Sequence, residues 1–280
     1  MKAGMIGLGA MGLGMARNLA KAGYLTAVYN RTAAKMAEFN VAAFNQPEGL
    51  AREVDIVLIC VSADQDVLSI VEAIAKTIKP GSVVVDMSTV SSETAKKAAA
   101  ILAEKQVAFL DAPVSGGVEG AKNGTLAMMV GGNADALEKA RPLLEVMAAR
   151  IVHIGATGTG QATKAVNQIM CAGINQAVTE ALAFAEAQGL AMDKVIDVIS
   201  GGASGNWFLQ HRGSTMTKGT FAPGFKLELH HKDLKICQTM AVQTGFSIPI
   251  ADKTVVDYEQ LMAEGYGDED ISALYRLKKM

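Results

Sequence analysis

Gly7, Gly9 and Gly12 stand between the apolar pair Met5-Ile6 and a helix-period stretch from Met11 to Ala22. Three glycines at that spacing, entered from a strand and left into a helix, allow few chain paths. The first permits a tight turn, the second lets a ligand approach the backbone, and the third lets helix and strand pack closely. The amino end of the helix then faces any anion on the turn. In a chain with 28 glycines the spacing alone has little weight; the strand before it and the helix after it supply the weight. Gly7-Leu8-Gly9-Ala10-Met11-Gly12 therefore reads as a dinucleotide cradle, against the plainer reading of a strand–helix turn without a ligand.

The pattern that follows agrees. Apolar runs at Leu25–Tyr29, Asp55–Cys60, Ser82–Asp86 and Val107–Asp111 alternate with helix-period segments, among them 64–78 and 91–105. Two more runs, Leu126–Val130 and Ile151–Ile154, flank a helix that starts near Asp135. Short apolar runs separated by amphipathic helices indicate βαβ units and a parallel sheet buried on both faces.

The grammar changes after Gly160. Thr163–Gln188 reads as one long helix, stopped by Gly189. It carries so little charge that burial between domains or subunits is expected. Further helices are predicted at 192–200, 206–217, 232–244 and 250–264. The expected fold class is α/β: a Rossmann-type dinucleotide-binding domain over 1–162, then an all-α domain over 163–280 serving substrate binding and oligomerisation.

Charge and cysteine content remove other classes. Lys+Arg 26 against Asp+Glu 28 leaves a net charge of −2 without a basic run, so no nucleic-acid partner is expected. Cys60, Cys171 and Cys237 are far apart and show no metal spacing, and their odd number favours a reducing, cytoplasmic setting. The first apolar stretch is broken by glycines and Arg17, a poor leader, and no uncharged run reaches the ~18 residues of a membrane span. No metal is expected.

The residues for chemistry lie at strand ends. Asn30 stands where an NAD-binding site usually has an acidic ribose reader. Asn30-Arg31-Thr32 suits a 2′-phosphate better, so NADP is expected, with NAD possible. Val61 in Cys60-Val61-Ser62, together with Ser88-Thr89, would reach the nicotinamide ribose, although Ser88 and Thr89 also suit a helix N-cap. Ser115-Gly116-Gly117 leaves backbone N–H groups open to a carboxylate. For a proton donor the candidates are Lys164, Lys232, His153, His211, His230 and His231. Lys164 stands out because a cation in the first turn of the long helix opposes the helix dipole, which suits a group that gives up a proton. Asn167 and Gln168 share its face. The structural alternative is a lysine bonded to a loop carbonyl. His230-His231 opens a helix and points to two faces, so the pair is not read as a metal site. Tyr275-Arg276-Leu277-Lys278-Lys279 is read as a chance Tyr-x-x-x-Lys in a frayed terminus.

Together these blocks resemble the β-hydroxyacid dehydrogenase family over essentially the whole chain. The family includes 3-hydroxyisobutyrate dehydrogenase, tartronate semialdehyde reductase and glyoxylate/succinic semialdehyde reductase. Gly4–Gly12 resembles its cofactor motif, Asp111–Gly117 its substrate motif, Gly158–Lys164 its catalytic segment, and Phe225–Leu234 a further cofactor-binding segment. The resemblance implies that Lys164 is the catalytic lysine and that Ser115, Gly116 and Gly117 bind the substrate carboxylate. It also implies that Thr89 and Lys232 contact the cofactor near the nicotinamide. Where many members carry two asparagines, this chain has Asn167-Gln168, so either is a candidate for the substrate. Ser204–Phe208, with the only Trp, aligns with a variable part of the substrate pocket or packs in the helical core.

The expected activity is an NADP-preferring oxidoreductase interconverting a small 3-hydroxy (or ω-hydroxy) carboxylic acid and its semialdehyde. The alternatives are a glyoxylate/succinic semialdehyde reductase and a non-catalytic cofactor-binding module. Weakly charged, Ala- and Met-rich helices in the second half predict a homodimer or homotetramer.

Overall fold

In a computed structural model, which describes residues 1–279, the apolar runs of the first half become strands of one sheet. β1 (Ala3–Ile6) leads through α1 (Ala10–Lys21) to β2 (Leu25–Tyr29). A 3₁₀ turn (Ala33–Glu38) and the short β3 (Ala42–Phe44) follow. Then come α2 (Pro47–Glu53), β4 (Ile56–Ile59), α3 (Asp64–Ile74), β5 (Val83–Asp86), α4 (Ser92–Ala103) and β6 (Ala108–Asp111). These strands are parallel in the order β3-β2-β1-β4-β5-β6. The chain order reverses at β1, which has β2 on one side and β4 on the other; in open α/β sheets ligands bind at the carboxyl ends beside such a reversal.

Successive strand residues enter opposite cores. Met5, Leu58 and Val85 join Met15 and Leu19 of α1; Ile6, Val57, Ile59 and Val84 join Val67 and Val71 of α3 and Leu102 of α4. Burial on both faces is why these strands read as unbroken apolar runs rather than as alternating ones.

The sheet is not wholly parallel, which corrects the expectation. β7 (Val114–Ser115), α5 (Gly117–Asn123), β8 (Leu126–Gly132), α6 (Ala134–Leu144) and β9 (Ala148–Gly155) complete it. β8 runs antiparallel to β6 and β7 in one register: Leu110 opposes Gly132, Asp111 Gly131, Val114 Met128 and Ser115 Ala127. β6 and β7 are thus one line, interrupted at Ala112-Pro113, where Met129 N still donates to the Pro113 carbonyl at 3.1 Å. A parallel return needs a crossover of roughly a dozen residues or more. The short α5 turns the chain back instead, and β9 then pairs with β8 in parallel through α6.

The chain divides into two compact units, the first ending at Lys164 and the second beginning at Ala165, within α7 (Thr159–Ala187). α8 (Met192–Ser200), α9 (Trp207–Thr217), α10 (Leu227–Thr244), α11 (Pro249–Ala263) and a terminal 3₁₀ helix (Ile271–Lys278) follow. Leu182, Phe208, Leu234, Tyr258, Leu261 and Leu274 lie in the core of the second unit. Gly189, at φ +69°, follows the end of α7 as expected.

Two helices start earlier than predicted, and each is capped from far along the chain. α7 begins at Thr159 rather than 163, because the Asp111 carboxylate accepts from Gly158 N and Gln161 N. α10 begins at Leu227 rather than 232, because the carbonyls of Glu269 and Gly267 accept from Leu227 N and Glu228 N. The frayed terminus is also corrected. Tyr275 is buried, and its hydroxyl donates to Glu186 at 2.5 Å.

Candidate functional site

The glycine cradle has the geometry its spacing demands. A Cβ on Gly7, which has φ +96°, would meet the Cys60 carbonyl oxygen at 2.1 Å, and one on Gly12 would meet the Gly7 oxygen at 2.0 Å. These two glycines are required by the protein itself. Gly9 is different: a Cβ there meets nothing within 4 Å. The space beside it lies at the start of α1, whose first turn has no acidic residue and no side-chain cap. That opening suits a pyrophosphate. Gly9 and Ala10 are exposed and Met11 is half-buried; Leu8 is buried.

Asn30 is engaged by the backbone at both ends of its amide. Its Oδ1 accepts from Leu8 N at 2.8 Å and its Nδ2 donates to the Thr32 carbonyl at 2.9 Å. It ties the end of β2 to the cradle. Arg31 extends into solvent, its side chain 87% exposed, with its guanidinium 3.7 Å from Asp66.

Ser88 and Thr89 do not cap α4; Ser91 does, accepting from Thr94 N. Ser88 Oγ accepts from Val61 N at 2.9 Å, and Ser88 N donates to Asp86 Oδ1 at 3.0 Å. The ends of β4 and β5, with Val61 and Thr89, are thereby joined. Asp86 is fully buried, and its Oδ2 has no hydrogen-bond partner. Burial pushes this carboxyl up to about 7, against the pull of the Ser88 hydrogen bonds and with help from the Asp111 and Asp64 charges. Burial also raises Asp111, its neighbour across the sheet, although backbone amides of Gly158 and Gln161 favour its ionised form.

Lys164 is 7% exposed, and its Nζ donates to the Val114 carbonyl at 2.9 Å. The next residues are Ser115, then Gly116 at φ +135° and Gly117 at φ +62°. Both glycines adopt conformations that L side chains avoid, and α5 begins there without a side-chain cap. Ammonium and turn are thus adjacent. Because α7 starts at Thr159, Lys164 lies beyond the first turn and, contrary to expectation, outside the reach of the helix dipole. The carbonyl bond is the structural role that the sequence left open beside the catalytic one.

In the second unit, Gln168 is 1% exposed and both ends of its amide are engaged. Its Oε1 accepts from Asn167 at 2.7 Å and its Nε2 donates to Asp233 Oδ2 at 2.6 Å. Lys232 Nζ lies 2.9 Å from the other Asp233 oxygen. Asn167 is half-buried and so is the more accessible of the two amides. His230 is buried against Tyr258 and the Gln168 carbonyl, while His231 meets Glu259. Trp207 does not pack in the core: the residue is 61% exposed, and its ring stacks on His211 at 4.2 Å. Among the described residues no three His, Cys, Asp or Glu side chains gather as a metal-binding group, and no helix is long and apolar enough to cross a membrane.

Sequence reasoning missed Gln161, whose buried amide bonds the backbone at Ser88 and Val90. It also missed the buried pair Asp86–Asp111. A carboxylate closing each of two neighbouring, otherwise apolar strands was the available signal.

Comparisons with known proteins agree with this geometry. The family model of the NAD-binding domain of 6-phosphogluconate dehydrogenase matches residues 2–155. The model of the NAD-binding region of NADP-dependent 3-hydroxyisobutyrate dehydrogenase matches residues 158–278. The 2-hydroxy-3-oxopropionate reductase of Escherichia coli is 35% identical, covering 98% of this chain and 96% of its own. The NAD-dependent L-serine dehydrogenase of Pseudomonas aeruginosa is 34% identical, with 97% and 96% covered. A solved structure of Mycobacterium tuberculosis 3-hydroxyisobutyrate dehydrogenase with L-serine superposes with a TM-score of 0.92 at 33% identity, covering 100% of this chain and 99% of that one. The cradle, the mixed sheet and the helical second half are therefore shared end to end, and the chain belongs to the β-hydroxyacid dehydrogenase family of nicotinamide-dependent oxidoreductases.

Proposed function

We propose that this enzyme interconverts a small 3-hydroxy (or ω-hydroxy) carboxylic acid and its semialdehyde, prefers NADP, and uses Lys164 as general acid and base. The observation that carries the reading is a buried ammonium bonded to the Val114 carbonyl, directly before Ser115-Gly116-Gly117. One group moves a proton. The other offers a hydroxyl and backbone N–H groups to a carboxylate. When bound, the dinucleotide supplies or accepts the hydride. Lys164 protonates the nascent alkoxide in reduction and takes that proton back in oxidation, a contribution of something like 10²–10⁴-fold. Asn167, the more accessible of the two amides, is assigned to the substrate, and Gln168, held by Asp233, accepts from Asn167.

Residues 1–162, together with Lys232, serve the dinucleotide. Gly7 to Gly12 hold its pyrophosphate, Arg31 with Asn30 and Thr32 its 2′-phosphate, and Val61, Ser88, Thr89 and Lys232 its nicotinamide end. NADP is favoured because no carboxylate ends β2 and because Arg31 is extended and accessible. The named substrates of the relatives point to one class: 3-hydroxyisobutyrate, L-serine and 2-hydroxy-3-oxopropionate share a C1 carboxylate and a C3 oxygen and differ at C2.

The test is cofactor reduction with 3-hydroxyisobutyrate, L-serine, 3-hydroxypropionate and 4-hydroxybutyrate, and cofactor oxidation with the matching semialdehydes and glyoxylate, each with both dinucleotides. Turnover of 3-hydroxy acids with NADP is expected. Cofactor binding without any turnover would instead favour the non-catalytic module. The exposed apolar side chains Val166, Met170 and Phe184 of α7, with Val242 and Phe246, support a homodimer or homotetramer. A monomer by light scattering at micromolar concentration would refute that.

A further inference from the structure

We propose that Gln161 is a positioning residue that sets the placement of Thr89 relative to Lys164; the inference rests on the function proposed above. Gln161 is 1% exposed and lies one helical turn before Lys164 in α7. Its Nε2 donates to the Ser88 carbonyl at 2.8 Å, and its Oε1 accepts from Val90 N at 3.2 Å. The amide therefore grips the backbone on both sides of Thr89, as a neighbouring strand would. Its own N–H donates to Asp111 Oδ2 at 2.9 Å, which pins the helix end that carries it. Ser88 Oγ in turn accepts from Val61 N. One side chain thus links the segment assigned to the nicotinamide with the helix assigned to the proton donor. A polar group buried this completely, with donor and acceptor both used, is costly to leave half-satisfied. Hydride transfer and proton transfer must occur at one substrate carbonyl, so the spacing between these segments governs rate more than binding.

Two variants read this out. Gln161→Met keeps the length and removes both bonds. Gln161→Glu keeps the acceptor, but its carboxylate cannot donate to the Ser88 carbonyl; only the protonated acid restores both bonds. The charged and titratable groups nearest it are Asp111, which accepts from Gln161 N, and Asp86 and Asp64, which accept from Ser88 N and Ser91 N; all three favour that proton, while Lys164, one turn on, and Lys96, beside Gly158, oppose it. Dividing each variant's rate by the parent's at the same pH removes the titration of the groups they share. Melting curves establish that each variant is folded, and cofactor fluorescence gives NADPH affinity.

The expected result for Gln161→Met is a kcat lower by about tenfold to a hundredfold, with NADPH affinity near the parent's because the glycine cradle is intact. For Gln161→Glu, the reductive rate relative to parent should climb as pH falls. A parental kcat in Gln161→Met, a flat pH ratio in Gln161→Glu, or a loss of NADPH affinity in step with kcat would overturn the inference alone. A parent that turns over no hydroxy acid would overturn the proposed function and the inference with it.

Discussion

Asp86→Asn should make the enzyme more stable at alkaline pH and leave it nearly unchanged at acid pH. The Asp86 carboxyl closes β5 in full burial, and one of its oxygens has no hydrogen-bond partner. It titrates near 3.8 in an unstructured chain and is pushed up to about 7 here, chiefly by burial. At about 1.4 kcal/mol per pH unit, ionising it in the folded protein costs about 4 kcal/mol relative to the unfolded chain. The sign follows from proton counting. Between roughly pH 4 and 7 the folded chain holds a proton that the unfolded chain has released, so stability falls as pH rises. Above the folded value both states are ionised and the loss is complete. Asparagine imitates the protonated acid: its Oδ1 still accepts from Ser88 N, and it does not titrate. Urea denaturation of parent and variant, followed by circular dichroism from about pH 4.5 to about pH 8.5, reports chiefly this group, with a smaller part from Asp111 and Asp64, whose titration the Asp86 charge also shifts. The variant's advantage should grow across that window towards about 4 kcal/mol, an upper bound set by how far the site relaxes. An advantage independent of pH, or a variant less stable throughout, would refute the assignment of Asp86 as a carboxyl kept neutral by burial.

Three further outcomes are expected. Lys164→Ala should lower kcat by something like 10²–10⁴-fold and spare cofactor affinity, and Lys164→Arg should rescue poorly because a guanidinium does not give up its proton; steady-state kinetics with NADPH fluorescence titration decides. Arg31→Ala should weaken NADPH binding about tenfold to a hundredfold, the equivalent of roughly 1.5–3 kcal/mol for a charge-assisted contact, and leave NADH almost unaffected; equal losses with both cofactors would make Arg31 structural. Gly9→Ala should melt like the parent, since beyond its two chain neighbours nothing lies within 4 Å of the added Cβ and Gly9 has φ −72°. It should nevertheless bind either dinucleotide poorly by titration, because the methyl enters the space assigned to the pyrophosphate.

How much of the site was legible depends on how local each determinant is. The cradle could be read because Gly7, Gly9 and Gly12 act within a single strand–turn–helix. The turn at Gly116-Gly117 was equally local, since only glycine adopts those positive φ values at ease. Asn30 could be singled out at the end of β2, but its bond to Leu8 N could not, because that partner lies far behind it in the chain. Lys164 was found, yet its place in the helix was not, because Asp111 moves the start of α7 back to Thr159.

The sequence by itself determined the fold class, the dinucleotide cradle and the candidate lysine. Apolar periodicity and glycine spacing are short-range constraints, and they act before distant segments meet. Tertiary structure decided the antiparallel return of β8, the starts of α7 and α10, the burial of Tyr275, and the grip of Gln161 on the backbone around Thr89. Each of these depends on a hydrogen bond or a packed face between residues far apart in the chain, and a buried polar group takes whichever partner the fold brings within 3 Å or so.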